Sequence, residues 1–282
     1  MTLFSPISYL GALFILMGLM GCGEDEQKNE EIKEVLEYSF VVAGHAYGNP
    51  ESYTSSIYPP MLDVLDTLIA HQQGVDQLIL TGDVVAKPTP ENWETVRSEL
   101  DERAIKEWFI APGNHDISPY MDSVIQTDKY LAHVRADYLF LILNTSHPGW
   151  TLDKQQITFV ENTLNEHQEN VNGIFVFSHQ LWWENQPPAS FQLDSLRPNS
   201  FALLEGPSTF WEDVFPLFED IDKEVYFFAG DMGCHFSLMG YYEDHYENFH
   251  FYGSGMGGAV DDNLLHGKIY PDGHVEIERI DF

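Results

Sequence analysis

The sequence predicts one α/β domain with a site at the carboxyl ends of its strands. Short apolar, β-rich runs alternate with stretches of helical periodicity through most of the chain. Five of those runs stop at a residue able to hold a metal ion or a proton: His45, Asp83, Asn114 with His115, His179, and Asp231. The final part changes to short β-like runs, with the hairpin dipeptide Asp272-Gly273 between the last two.

Each element follows from local chemistry. Tyr38 to Ala43 is β-rich and ends at Gly44-His45-Ala46-Tyr47-Gly48, a strand followed by a glycine-bounded loop. Met61 to Gln73 carries Leu62, Val64, Leu65, Leu68 and Ile69 at helical spacing, with Pro60 near its start. Gln77 to Thr81 is a short buried strand ending at Gly82-Asp83, and Glu91 to Arg103 is a helix. Trp108 to Ala111 is a strand running into Pro112-Gly113-Asn114-His115-Asp116, where a glycine lets the backbone turn sharply beside a ligand. Tyr138 to Leu143 is a strand, Asp153 to His167 an amphipathic helix, and Ile174 to Phe177 a strand ending at Ser178-His179. Phe210 to Phe218 reads as helix and Val225 to Ala229 as a strand ending at Gly230-Asp231. Phe249 to Tyr252, His266 to Tyr270 and His274 to Ile277 are the closing strands. No internal repeat or low-complexity linker interrupts residues 37–282, so they are read as one domain.

The chain has 282 residues, enough for one large core, and 45 acidic against 13 basic side chains. A net charge of −32 argues against binding nucleic acid or an anionic membrane through a basic face. The two cysteines, Cys22 and Cys234, make no disulfide framework. Tyr9 to Met20 is an apolar run of signal-peptide length, too short for a comfortable membrane span. It ends in Leu19-Met20-Gly21-Cys22 and turns acidic at once, which resembles a bacterial lipobox, although no Lys or Arg precedes the run. The expectation is a signal peptide over 1–21, lipidation of Cys22, and an acidic tether over 22–36. The protein would then be anchored by lipid alone at the cell envelope, on the outer membrane or the cell surface.

A lone strand-end His or Asp is more often a capping or hydrogen-bonded residue than a ligand. Five in one α/β chain carry more weight, because parallel strands bring their carboxyl ends together in space. A set of His, Asp and Asn is nitrogen and oxygen ligation, suited to manganese, iron or zinc. Without a closed cysteine set it reads as an open catalytic centre rather than a structural one.

Gly82-Asp83, then Gly113-Asn114-His115-Asp116, then a strand-end His179 and a glycine-led element at Gly230 resemble the calcineurin-like metallophosphoesterase family over roughly residues 38–282. Phe251 to Gly258 looks like the strand and glycine-rich turn that closes that fold. The resemblance implies an α/β fold built as a four-layer α/β/β/α sandwich of two mixed sheets, with one or two divalent ions at the strand ends. It implies that Asp83 bridges two metal seats and that Asn114 and His179 bind the second. His115 would face the substrate phosphate and Asp116 would orient His115 by a hydrogen bond. His45 matches the histidine of the family's first motif.

Two positions depart from the pattern. Ala43 stands where the first motif has Asp, and Gly230-Asp231-Met232-Gly233 stands where the last motif has Gly-His-x-His. Asp231 keeps an oxygen ligand and Gly233 keeps none. Both outright losses fall on the first seat, which retains His45 and the shared Asp83; His235 is a further candidate there. The expected function is hydrolysis of phosphate esters, on a phosphorylated small molecule or glycan, with a binding or scaffold protein that has lost turnover as the alternative and hydrolysis of another ester as a third. Trp182 and Trp183 read as aromatics packed under a loop, and Pro187 to Glu205 as an insertion able to carry specificity.

Overall fold

The computed structural model describes residues 35–49, 55–71, 74–122, 129–146, 150–184, 187, 199, 209–233, 239–258 and 261–282. The expectations for the signal run, Cys22, Cys234, His235 and almost all of the insertion up to Glu205 lie outside these residues.

The strands among the described residues form two mixed sheets. The first has the order β11–β10–β1–β2–β3, from Val275–Asp281, Asn263–Ile269, Tyr38–Ala43, Gln77–Leu80 and Glu107–Ile110. β1, β2 and β3 are parallel, and β10 joins β1 and β11 antiparallel. The second has the order β4–β5–β6–β7–β9–β8, from Leu131–Arg135, Tyr138–Ile142, Gly173–Phe177, Glu224–Ala229, Phe249–Ser254 and Tyr241–Tyr246. Its centre, β5 to β7 and β9, is parallel, and β4 and β8 are antiparallel edges.

Side-chain alternation along the strands sorts the core into layers. Phe40 and Val42 of β1 meet Phe140, Phe175, Phe177 and Phe228 of the other sheet, so the two sheets pack face to face. The intervening Val41 and Ala43 point the other way, onto Met61 and Leu65 of α1 (Pro59–His71) and Trp93 and Val96 of α2 (Pro90–Asp101). On the far face of the second sheet, Leu139, Leu141, Ile174 and Val176 pack on Val160 and Leu164 of α3 (Lys154–His167). The order of layers is α/β/β/α.

Local signals explain the helix starts. Thr89 caps α2 by accepting the Asn92 N–H at 3.3 Å, with Pro90 in the first turn, and Asp153 caps α3 by accepting the Gln156 N–H at 2.8 Å. The helix expected over Phe210 to Phe218 is instead two short helical turns, Phe210–Val214 and Phe215–Leu217. Pro216 lacks the N–H that a continuous helix needs there. Two strands lie outside the sequence reading, β4 and β8. Each is an edge strand in a hairpin turned by left-handed residues other than glycine: Ala136 (φ 46°) and Asp137 (φ 58°), and Glu247 (φ 53°). Trp182 and Trp183 are fully buried beside Phe210.

Candidate metal centre

The carboxyl ends of β1, β2, β3, β6 and β7 converge, and the backbone explains how. Gly44 and Gly230 cross so closely that a Cβ on Gly44 would stand 2.2 Å from the Gly230 Cα. Only two glycines allow the ends of β1 and β7, one from each sheet, to touch. Gly82 leaves room for the His179 ring, whose Nδ1 would lie 2.4 Å from a Cβ there. Gly113 leaves room for Asp83, whose Oδ1 would lie 2.3 Å from one. His45 and Asp83 themselves sit at positive φ, 55° and 51°. Strained backbone at two adjacent polar strand ends marks a functional site.

Asp83 is the hub. Its Oδ1 accepts the His115 backbone N–H at 3.2 Å and lies 3.3 Å from His179 Nε2. Its Oδ2 lies 3.9 Å from His45 Nε2. The two oxygens therefore face two different histidines. On the Oδ1 side, Asp231 Oδ1 stands 3.8 Å from His179 Nε2. Asp83, His179 and Asp231 are all buried, and one donor atom of each lies within 4.8 Å of the others.

The tautomers follow from the ring contacts. His179 Nδ1–H donates to the Thr81 carbonyl at 2.9 Å, so Nε2 carries the lone pair when the ring is neutral. That nitrogen is buried and has no hydrogen-bond partner among the described residues, although carboxylate oxygens lie near it. The neutral ring would aim that lone pair at the carboxylates, and a cation between them would satisfy all three buried groups. Burial lowers the His179 pKa, but Asp83 and Asp231 outweigh it and hold it above the ordinary value. Burial likewise raises Asp83, and His179, His45 and His115 more than offset it, leaving its carboxyl below the usual range. The donor set of two carboxylates and an imidazole fits a divalent ion of the manganese, iron or zinc kind. Asp83, His179 and Asp231 would hold it.

His45 differs. Its Nδ1–H donates to the Met256 carbonyl at 2.8 Å, and burial pulls its pKa down to about 4 against the pull of Asp83. Tyr47 lies against it, ring centroids 4.3 Å apart, and His115 lies 5.4 Å beyond Tyr47.

The Gly113–Asp116 turn carries two exposed side chains, Asn114 and His115, above buried Asp116. Asn114 shares the turn whose N–H binds Asp83, which keeps it beside the hub. Asp116 does not orient His115 as the resemblance implied. Its Oδ1 accepts the N–H groups of Val84 (2.9 Å) and Val85 (3.2 Å), and its Oδ2 that of Gly113 (2.8 Å). Buried backbone donors must be satisfied, and this carboxylate staples two adjacent loops by doing so. Burial and nearby Asp83 push it up to about 7. His115 instead donates from Nδ1 to the Ala86 carbonyl at 3.2 Å. The carbonyls of Thr81, Ala86 and Met256 thus orient the three imidazoles, and a backbone carbonyl leaves no mark in a sequence.

A four-layer sandwich with His and Asp gathered where its two sheets meet has the build of a metal-dependent phosphoesterase. The chain belongs to the calcineurin-like phosphoesterase family, whose model matches residues 55–230. It is 30% identical over 88 residues to a 3',5'-cyclic-nucleotide phosphodiesterase of Nostoc sp., a stretch covering 30% of this chain and 33% of that protein. Its fold resembles a purple acid phosphatase from yellow lupin (Lupinus luteus) seeds, with a TM-score of 0.59 at 13% identity over 88% of this chain and 52% of that one. The chain spans about a third of the length of the curated relative and about half that of the structural one. The family implies the use of divalent metal.

Proposed function

We propose that this protein is a metal-dependent hydrolase of phosphate esters whose metal centre is altered on one side. The observation that carries the reading is the buried trio Asp83, His179 and Asp231 around the orphaned His179 Nε2. A divalent ion held there would polarise a phosphate oxygen and lower the pKa of bound water. The protein's own groups do the rest. Asp83 and His179 would hold that ion beside the Gly113–Asp116 turn. Water adds at phosphorus, the ester P–O bond breaks, the departing oxygen takes the Nε2 proton of His115, and His115 recovers a proton from the added water. The Nδ1–H···O=C bond to Ala86 aims the His115 ring, leaving Nε2 to face the substrate. Asp116 acts by pinning the turn that presents Asn114 and His115.

The substrate class is a phosphorylated small molecule or glycan, and the cyclic-nucleotide activity named for the Nostoc relative puts phosphodiesters on the panel. The lipobox-like Leu19-Met20-Gly21-Cys22 supports a location at the cell envelope through lipid on Cys22, with residues 22–36 as tether. Membrane fractionation of wild type against Cys22→Ala tests this: release of the variant is expected, and equal retention refutes lipid anchoring.

A second reading, a binding or scaffold protein, is favoured by Ala43 and Gly233 in place of ligands. Assays of phosphomonoesters and phosphodiesters with added manganese, beside elemental analysis, decide between the two. Turnover abolished in His115→Ala and Asp83→Ala supports the hydrolase; bound metal without turnover on any ester supports the binder.

A further inference from the structure

We propose that the centre takes one divalent ion, on Asp83 Oδ1, His179 Nε2 and Asp231, and that the His45 side is closed to a second by the backbone itself. The proposal rests on the metal-dependent reading above.

The number of donors separates the two sides. Two donors each about 2.1 Å from one ion stand about 3.0–3.5 Å apart at octahedral to tetrahedral angles. Asp83 Oδ1 and His179 Nε2, at 3.3 Å, meet that spacing, and Asp231 stands near it at 3.8 Å. Asp83 Oδ2 and His45 Nε2, at 3.9 Å, are spaced much like that last pair, but no third His, Cys, Asp or Glu joins them among the described residues. Ala43, where the family resemblance expects Asp, carries no donor atom and packs with Met61 and Leu65.

The last corner is built over. Gly233 has φ 84°, and a Cβ on it would stand 2.4 Å from the Met256 nitrogen and 2.6 Å from the Gly255 carbonyl carbon. From the other direction, a Cβ on Gly255 would stand 2.1 Å from the Met232 carbonyl oxygen. Backbone therefore fills the space that a ligand side chain at 233 would cross. The same turn holds His45, because the Met256 carbonyl takes its Nδ1–H. Between them His45 Nε2 and Asp83 Oδ2 offer two acceptor atoms, enough to take a water or a substrate hydroxyl. A two-donor seat is far short of the four to six ligands that divalent ions take.

The test is the metal content of the whole purified chain, loaded with excess Mn(II), freed of unbound ion, and read by elemental analysis and electron paramagnetic resonance, with and without inorganic phosphate. The expected result is one ion per chain with the spectrum of isolated Mn(II), unchanged in His45→Ala and lost in His179→Ala. Two ions per chain, an exchange-coupled spectrum, or a second ion recruited by phosphate overturns the proposal while leaving the hydrolase reading intact. A fall from two ions to one in His235→Ala would identify the residue that rebuilt the seat. One ion without ester turnover keeps the proposal and overturns the hydrolase. No ion at all overturns both. Far-ultraviolet circular dichroism of each variant separates a lost ion from a lost fold.

Discussion

The two oxygens of Asp83 look onto two different kinds of site. Oδ1 faces a gap lined by side chains, with His179 Nε2 at 3.3 Å and lacking any hydrogen-bond partner among the described residues. Oδ2 faces a neutral imidazole at 3.9 Å, behind which Gly233, Gly255 and Met256 pack backbone against backbone. Both imidazoles give their Nδ1–H to a backbone carbonyl, Thr81 for His179 and Met256 for His45, so the difference lies at Nε2, where the His179 side brings a second carboxylate, Asp231. A side chain placed at residue 233 would find no room beside Gly255 and Met256.

The largest expected effect comes from removing the hub that both sides share. Asp83→Ala should abolish metal binding and lower kcat/KM by about 10³-fold or more, equivalent to about 4 kcal/mol of transition-state stabilisation. A variant that kept metal would break the comparison at its centre. Gly82→Ala should come next. Its methyl group would meet the His179 ring at 2.4–2.7 Å on a backbone of φ 81°. The cost should be about 2–4 kcal/mol, seen as a lowered midpoint in urea unfolding, with weakened metal binding.

Acid sensitivity needs a control before either side is titrated. His266 is fully buried, neither ring nitrogen has a hydrogen-bond partner among the described residues, and burial lowers its pKa to about 4. The folded state then binds fewer protons than the unfolded state between about pH 6.5 and 4, so stability falls as pH drops through that window. His266→Leu should reduce the loss between pH 7 and pH 5 by about 1–2 kcal/mol in urea titrations at the two pH values. An unchanged loss would assign the sensitivity to other groups. The smallest effect is the sharpest for the comparison. His45→Ala should change Mn(II) affinity less than about tenfold, under about 1.4 kcal/mol, when measured by calorimetry. A larger loss would show that the Oδ2 side also binds metal.

Much of this was legible in the sequence. The strand ends at His45, Asp83, His179 and Asp231 could be placed because apolar runs stop abruptly at each, and the topology gathers them. The four layers followed from the family resemblance, and the alternation of Val41 with Phe40 and Val42 fills them. The edge strands β4 and β8 were not legible. Their polar runs are half exposed, and their turns use Ala136, Asp137 and Glu247 at positive φ in place of glycine. The helix expected at Phe210 failed for a visible reason, Pro216, which apolar spacing had masked. The role of Asp116 was misread because motif proximity suggests a side-chain partner, whereas burial made backbone N–H groups the stronger claimants.

The bond from His45 to the Met256 carbonyl joins residues 211 apart in sequence. It has a consequence for the order of assembly. β1 pairs with β2 through local chain but meets its other neighbour, β10, only when residues 263–269 are available. During synthesis the early strands therefore wait with one edge open, and the centre cannot close until the last tenth of the polypeptide arrives. Contacts of such long range slow folding, since the entropy of closing the loop is lost before the contact is gained. A bound ion bridging β2, β6 and β7 would be the natural latch on that late step.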